Sequence, residues 1–362
     1  MCCKFQKTIA VWQNTVQWIL GVQIIFLGEK HMKEEEKEAF DNAYHRARRF
    51  VYKNARPLEL AKWQYHFENG SREAVLETLA CYQNTDGGFG YGLEPDYWNP
   101  HSSPSQTYEA TEIIWEIGME REDADHPVIQ GILEYLSSGK EFEDNSRWAH
   151  TIDTNNNYPH ADWWHYPYAS WWEDTPANRF ATDYNPTAGL AGFILYFEDP
   201  DTDFYDLAKE VATEAINQFL MIKDCKEMYV VACFCRLYDY IAEAGLEAEF
   251  PMEAFEKRLK EVVFQTITQD VNLYITMWDV NICRPSTFLR AKDSMYYEMN
   301  KNIAEFELEF IAKTQLGDGS WEVTWEWGKS YPAAWGVAKN WWKSKIAIQN
   351  LLYWSGMMDS EE

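Results

Sequence analysis

The sequence predicts an all-α fold, a closed double ring of about six outer and six inner helices, on three observations. Apolar residues recur with the period of an α-helix along most of the chain. Segments with a single apolar face alternate with segments that are apolar nearly all round, as the outer and inner walls of such a ring require. The connections sort by length, several long ones entering the inner segments and short ones leaving them.

One-sided patterns predict outer helices over 36–54, 71–83, 126–138, 204–222, 251–270 and 295–315. The clearest is 204–222, where Leu207, Ala208, Val211, Ala212, Ala215, Ile216, Phe219 and Leu220 form one stripe opposite Lys209, Glu210 and Glu214. Asp203 reads as its N-cap, with Asp206 three residues on. Inner helices are predicted over 57–67, 105–118, 185–197, 227–244 and 333–355. In two of these, Ala188–Phe197 and Met228–Ile241, the residues are apolar almost throughout, and a helix without a polar face has to be enclosed. Asn185 reads as the N-cap of the first of these, with Pro186 at the first helical position. Two outer helices, 251–270 and 295–315, follow each other, so a short inner element is expected within 271–294. Closing the ring sets 36–54 beside 333–355.

The links 119–125, 198–203 and 245–250 are short, whereas 84–104, 139–184 and 316–332 are long. In an alternating ring the long links all open on the face where the inner helices begin. Long loops in compact domains usually carry function, so this face holds the candidate site. Tryptophan concentrates there: Trp148, Trp163, Trp164, Trp171 and Trp172 fall in or beside one long link, and Trp321, Trp325, Trp327, Trp335, Trp341 and Trp342 in or beside another.

Composition bounds the partners. The chain has 362 residues, 46% of them apolar, enough for a sizeable core, and 18 are Trp, a residue costly to expose. Against 32 basic side chains stand 58 acidic ones, and a net charge of −26 excludes nucleic acid and an anionic membrane surface as partners of the main domain. Cys2 and Cys3 lie in the first segment, and Cys81, Cys225, Cys233, Cys235 and Cys283 sit in mostly apolar surroundings with no C-x-x-C zinc spacing. A reducing, cytoplasmic compartment follows. Residues 1–31, with Lys4, Lys7 and an apolar run from Trp18 to Leu27, read either as an extension upstream of a start at Met32 or as a signal or anchor segment. In the second case the protein is secreted or membrane-anchored. Residues 32–362 are expected to form a single domain.

Two long links open with the same phrase: Gln83-Asn-Thr-Asp86-Gly87-Gly88-Phe89 and Gln315-Leu-Gly-Asp318-Gly319-Ser320-Trp321. This Q-x-x-D-G-[GS]-[FW] pattern resembles the QW-type repeat of the squalene-hopene cyclase and protein prenyltransferase superfamily, whose fold is an α/α toroid. In the repeat the Gln ends a helix, the Asp and Gly residues make a tight turn, and the aromatic packs back. The resemblance implies a central cavity and an enzyme acting on an isoprenoid or other bulky hydrophobic substrate. The family's D-x-D-D acid motif is absent, the nearest match being Asp201-Thr-Asp203-Phe204, and so is its D-x-C zinc pair, Asp224 and Cys225 being adjacent.

Candidate catalytic residues lie in the long links. Glu94 and Asp96 stand beside Trp98, and a carboxyl group desolvated by Trp has its pKa raised toward that of a general acid. His160 and Asp162, followed by Trp163, Trp164 and His165, pack imidazole, carboxylate and indole into a few residues. A hydrogen bond from His160 to a cavity carboxylate would fix its tautomer and raise its pKa. Asp183 lies just before an inner helix. Trp98, Trp163, Trp164, His165, Trp325, Trp327 and Tyr331 are expected to bind substrate as an aromatic wall, and no metal or cofactor is expected. The same acids and indoles fit a carbohydrate-active enzyme, glycoside hydrolase or lyase, in which Trp faces stack on sugar rings. A noncatalytic binding module for a small molecule or oligosaccharide is the third class.

Overall fold

The run Thr187–Phe197 forms a helix in which all eleven residues are buried, and the rest of the fold is built around such segments. The computed structural model describes residues 34–144, 146–167, 173–276 and 282–358. Within them lie thirteen α-helices: α1 (Glu34–Asn54), α2 (Pro57–Phe67), α3 (Arg72–Ala80), α4 (Pro104–Glu116), α5 (Pro127–Ser137), α6 (Pro176–Tyr184), α7 (Thr187–Phe197), α8 (Asp203–Met221), α9 (Met228–Glu243), α10 (Met252–Thr266), α11 (Val271–Thr276), α12 (Tyr297–Thr314) and α13 (Pro332–Met357). Among the described residues the strands amount to one two-residue antiparallel ribbon, Phe142–Glu143 with Arg147–Trp148, beside three isolated bridges. The reading of residues 1–31 lies outside the described residues, and none of the described helices is long and apolar enough to cross a membrane.

Local chemistry sets the helix starts. Pro57, Pro104, Pro127, Pro176 and Pro332 each occupy the first helical position, where a missing N–H costs nothing. Ser71, Ser103, Thr175 and Thr202 cap α3, α4, α6 and α8 through side-chain oxygens. Two expected caps are corrected. Thr202, not Asp203, caps α8, and Asp203 and Asp206 sit in its first turn, where the helix dipole favours negative charge. Asn185 closes α6 rather than capping α7, because 176–184, expected as loop, is itself helical up to Tyr184.

Packing follows the apolar stripes. α7 packs against α8 and α9, and Gly192 lets α9 approach closely, since a Cβ there would lie 2.9 Å from Tyr240. Burying a side chain such as Phe193 completely contributes roughly 1.5–3 kcal/mol. α9 is enclosed over most of its surface: Val230, Val231, Cys233, Phe234, Cys235, Leu237, Tyr240 and Ile241 are buried, Arg236 pairs with Asp239 on the remaining side, and only Tyr229 and Glu243, near its ends, are exposed. The pattern over 251–270 breaks after Thr266, and the short α11 with a 3-10 turn at Pro285–Thr287 occupies the region where an inner element was expected. The last helix, α13, packs on α1, α2 and α12, so the two ends of the described chain are neighbours.

The repeated phrases fold alike. Gln83 donates from Nε2 to the carbonyls of Gly87 (2.9 Å) and Val128 (3.0 Å), and Gln315 donates to those of Gly319 and Ala43 (both 2.9 Å). Each turn thereby docks on another one-sided helix, α5 for the first and α1 for the second. Asp86 accepts from Gly88 N, Ser102 and Lys140, and Asp318 from Ser320 N and Oγ. Phe89 and Trp321 pack back into the core. Both Asp residues thus shape turns.

Candidate active site

The loop after α3 is held from below by Arg56, which is buried between the rings of Tyr82 (5.5 Å) and Trp341 (5.0 Å). Its guanidinium forms a two-pronged pair with Glu59 and donates to the carbonyls of Gly92 (2.6 Å) and Leu93 (3.2 Å). Burial works against the Glu59 carboxylate, but Arg56 overrides it and holds the group below the usual carboxylate range. The loop carrying Glu94 and Asp96 therefore leaves a fixed point.

Asp96 is 3% exposed and accepts three indole N–H groups: Trp327 and Trp342 reach Oδ1, both at 2.6 Å, and Trp325 reaches Oδ2 at 3.0 Å. Burial pushes its carboxyl up to about 6, with the indole donors pulling the other way. Glu94 lies two residues earlier, half-buried, and its Oε1 accepts only the Asp96 amide, at 3.3 Å, among the described residues. Burial first, then the charge of Asp96, drive the Glu94 carboxyl well above the ordinary range, and Lys345 only partly offsets them. Asp96, with three donors, is the member of the pair better stabilised as the anion, and Glu94, with one weak donor, is the member held further above the ordinary carboxylate range.

The aromatic residues around the pair fall into two roles. Trp327 is buried, with Trp335 at 5.8 Å and the edge of Trp98 at 6.1 Å. Trp98 donates to the carbonyl of Pro95 and lies 5.1 Å from Trp341. Trp98, Trp325, Trp341 and Trp342 are all partly exposed. For Trp325 and Trp342 the N–H is spent inward on Asp96, which leaves ring surface for a ligand.

The expected histidine site is close but built differently. Ala161 N donates to Asp96 O (2.8 Å) and Trp98 N to Pro159 O (2.9 Å), so the segment with His160 runs beside that with Asp96. His160 makes no carboxylate hydrogen bond among the described residues, which corrects the expectation. Its Nδ1 donates to the Tyr158 carbonyl at 2.7 Å, so its Nε2 accepts from Nδ1 of His165 at 3.2 Å. Burial, with the neighbouring His165, lowers rather than raises the His160 pKa, although Tyr158 O favours the cation. Its ring also lies 5.4 Å from Tyr331. Asp162 is exposed, and its Oδ2 approaches Gly328 so closely that a Cβ there would be 2.5 Å away. Trp163 is half-buried in the cluster around Trp327. Trp164 packs on Tyr97 (4.4 Å) and His150 (5.1 Å), and its carbonyl accepts from Thr151 and Asn155. Asp183 is not brought to this cluster by any contact among the described residues: it pairs with Arg147 at 3.3 Å, and burial raises its pKa.

A row of charges was not anticipated. Glu109, Glu112 and Glu116 recur at i, i+3 and i+7 on α4 and share one face. Lys345 pairs with Glu109, Arg236 with Glu112 (2.7 and 3.0 Å), and Lys62 and His66 with Glu116 (3.0 and 2.7 Å). Arg236 also bonds Asp239 and lies 4.5 Å over Trp115, and Lys345 lies 4.8 Å over Trp342. Three glutamates at helical spacing on a predicted inner helix were the available signal. Among the described residues no three His, Cys, Asp or Glu side chains come together as metal ligands would.

Neither a protein-family model, nor a curated protein, nor a solved structure matches the chain.

Proposed function

We propose that the protein is an α/α toroid and a carbohydrate-active hydrolase whose general acid is Glu94. Support for the ring comes from the contact of α13 with α1 and α2, and from the second repeat turn docking on α1 as the first docks on α5. A closed ring of this size has a radius of gyration of about 20 Å. Small-angle scattering giving a markedly larger value would reject it in favour of an open superhelix.

The observation that carries the activity is the division of labour in the Glu94–Asp96 pair. Asp96 is buried and saturated with indole donors, so it anchors Trp325, Trp327 and Trp342 and supplies negative charge. Glu94, half-buried, with its pKa raised by burial and by that charge, is fit to protonate a leaving oxygen. The partly exposed indoles offer apolar surface that suits the apolar face of a sugar ring. An isoprenoid substrate fits less well, because Glu94, Glu109 and Lys345 are charged or strongly polar groups beside these rings. Assays on 4-nitrophenyl glycosides and oligosaccharides test the reading: turnover is expected in the wild type, and in Glu94→Gln it falls by about 10²–10⁴ on oligosaccharides, whose leaving group needs the acid, and far less on 4-nitrophenyl glycosides. Conversion of farnesyl diphosphate with no glycoside turnover would replace it by the isoprenoid reading.

A further inference from the structure

We propose that Glu109 is the second catalytic carboxylate of this site, the base for the attacking water, and that Lys345 positions it. The inference rests on Glu94 being the general acid. Each other carboxylate near Glu94 is engaged: Glu59 by Arg56, Asp96 by three indoles, Glu112 by Arg236. Glu109 has one oxygen, Oε1, on Lys345, and its Oε2 has no partner among the described residues. Its side chain is 23% exposed, enough for water to reach. Two unrelated elements hold it in place. It stands in the first two turns of α4, whose start is capped by Ser103, and its partner Lys345 stands three residues after Trp342 on α13, the residue whose N–H is fixed on Asp96. Lys345 and Glu109 both also act on Glu94 through space, so the ion pair lies within electrostatic reach of the acid.

In the proposed step Glu94 gives its proton to the glycosidic oxygen as the bond from that oxygen to the anomeric carbon breaks. Water adds to the anomeric carbon, and its proton passes to Glu109. A hemiacetal and an alcohol leave, and solvent returns the proton from Glu109 to Glu94.

The test compares wild type, Glu94→Gln, Glu109→Gln, Lys345→Met and the double variant Glu109→Gln/Lys345→Met on 4-nitrophenyl and methyl glycosides. The double variant removes the ion pair as a unit and guards against loss of folding by the unpaired ammonium. Glu109→Gln and the double variant are expected to lose about 10²–10⁴ in kcat/KM on both substrate types, while Glu94→Gln loses far more on the methyl glycosides, whose leaving group needs the acid. Lys345→Met shifts the acidic limb of the pH profile upward, a readout that a merely structural lysine would not move. A double variant that folds and keeps activity within about tenfold of wild type overturns the proposal. If the wild type turns over no glycoside, the sugar reading fails instead, and carboxyl ¹³C NMR decides the pair: the Glu94 titration midpoint falls in Glu109→Gln if the two face each other, and an unchanged midpoint overturns it.

Discussion

Trp342 donates its indole N–H to Asp96 at 2.6 Å across 246 residues of sequence, tying the last helix to the loop after α3. With Trp325 and Trp327 on the same carboxylate, Asp96 joins three segments at one buried point. Asp96→Asn replaces an acceptor with an amide N–H₂ that faces an indole donor. It is expected to lower stability by about 3 kcal/mol or more, read as a drop in Tm with a change in tryptophan fluorescence. An unchanged Tm would show that the indoles do not depend on the charge.

The repeat turns allow a sharper comparison. Gly319 has φ +98°, and a Cβ there would lie 2.2 Å from the carbonyl oxygen of Arg46, whereas Gly118 has φ +69° with nothing within 4 Å. Gly118→Ala bears only the backbone strain, about 1–2 kcal/mol. Gly319→Ala adds a clash with α1 and is expected to cost at least about 2 kcal/mol more. Equal losses in chemical denaturation would mean that the turn does not dock on α1.

Glu116 links stability to acid pH. Burial opposes its ionisation, but Lys62 and His66 prevail and hold its carboxyl well below the ordinary range. Its folded pKa is thus below its unfolded value, so its contribution is present above about pH 4.3 and disappears as pH falls through the folded pKa. Glu116→Gln should cost about 3–5 kcal/mol near pH 7, and the gap to wild type should narrow in melts below about pH 4. A gap independent of pH would remove the ion-pair account.

His160 gives the opposite kind of group the same sign. Its folded pKa lies below that of a free imidazole, so the unfolded chain binds the proton more readily and stability falls as pH drops below about 6.5. The groups facing it are His165, Asp162, Tyr331 and the Tyr158 carbonyl. In His160→Gln this pH dependence should be lost. A wild-type stability curve parallel to that of His160→Gln between pH 5 and 7.5 would show that the imidazole pair is not what the proton meets.

Periodicity determined most of the helices because burial of an apolar stripe is a local pattern with a global consequence: the stripe of 204–222 became α8, and the enclosed run after Asn185 became α7. The repeated Gln-x-x-Asp-Gly phrase likewise carried its turn in its own residues. Boundaries near polar residues were less legible. Asn185 and Asp203 suit a cap by type, but only the path of the preceding segment decides which residue takes that position. The partners of the charged residues were not legible at all. That Asp96 holds three indoles, that His160 turns to His165 and a carbonyl, and that Glu109 meets Lys345 depend on which helices abut, and a carboxylate in water has no preference among such partners. Only burial makes an unpaired charge costly enough to select one, and burial is a property of the assembled tertiary structure.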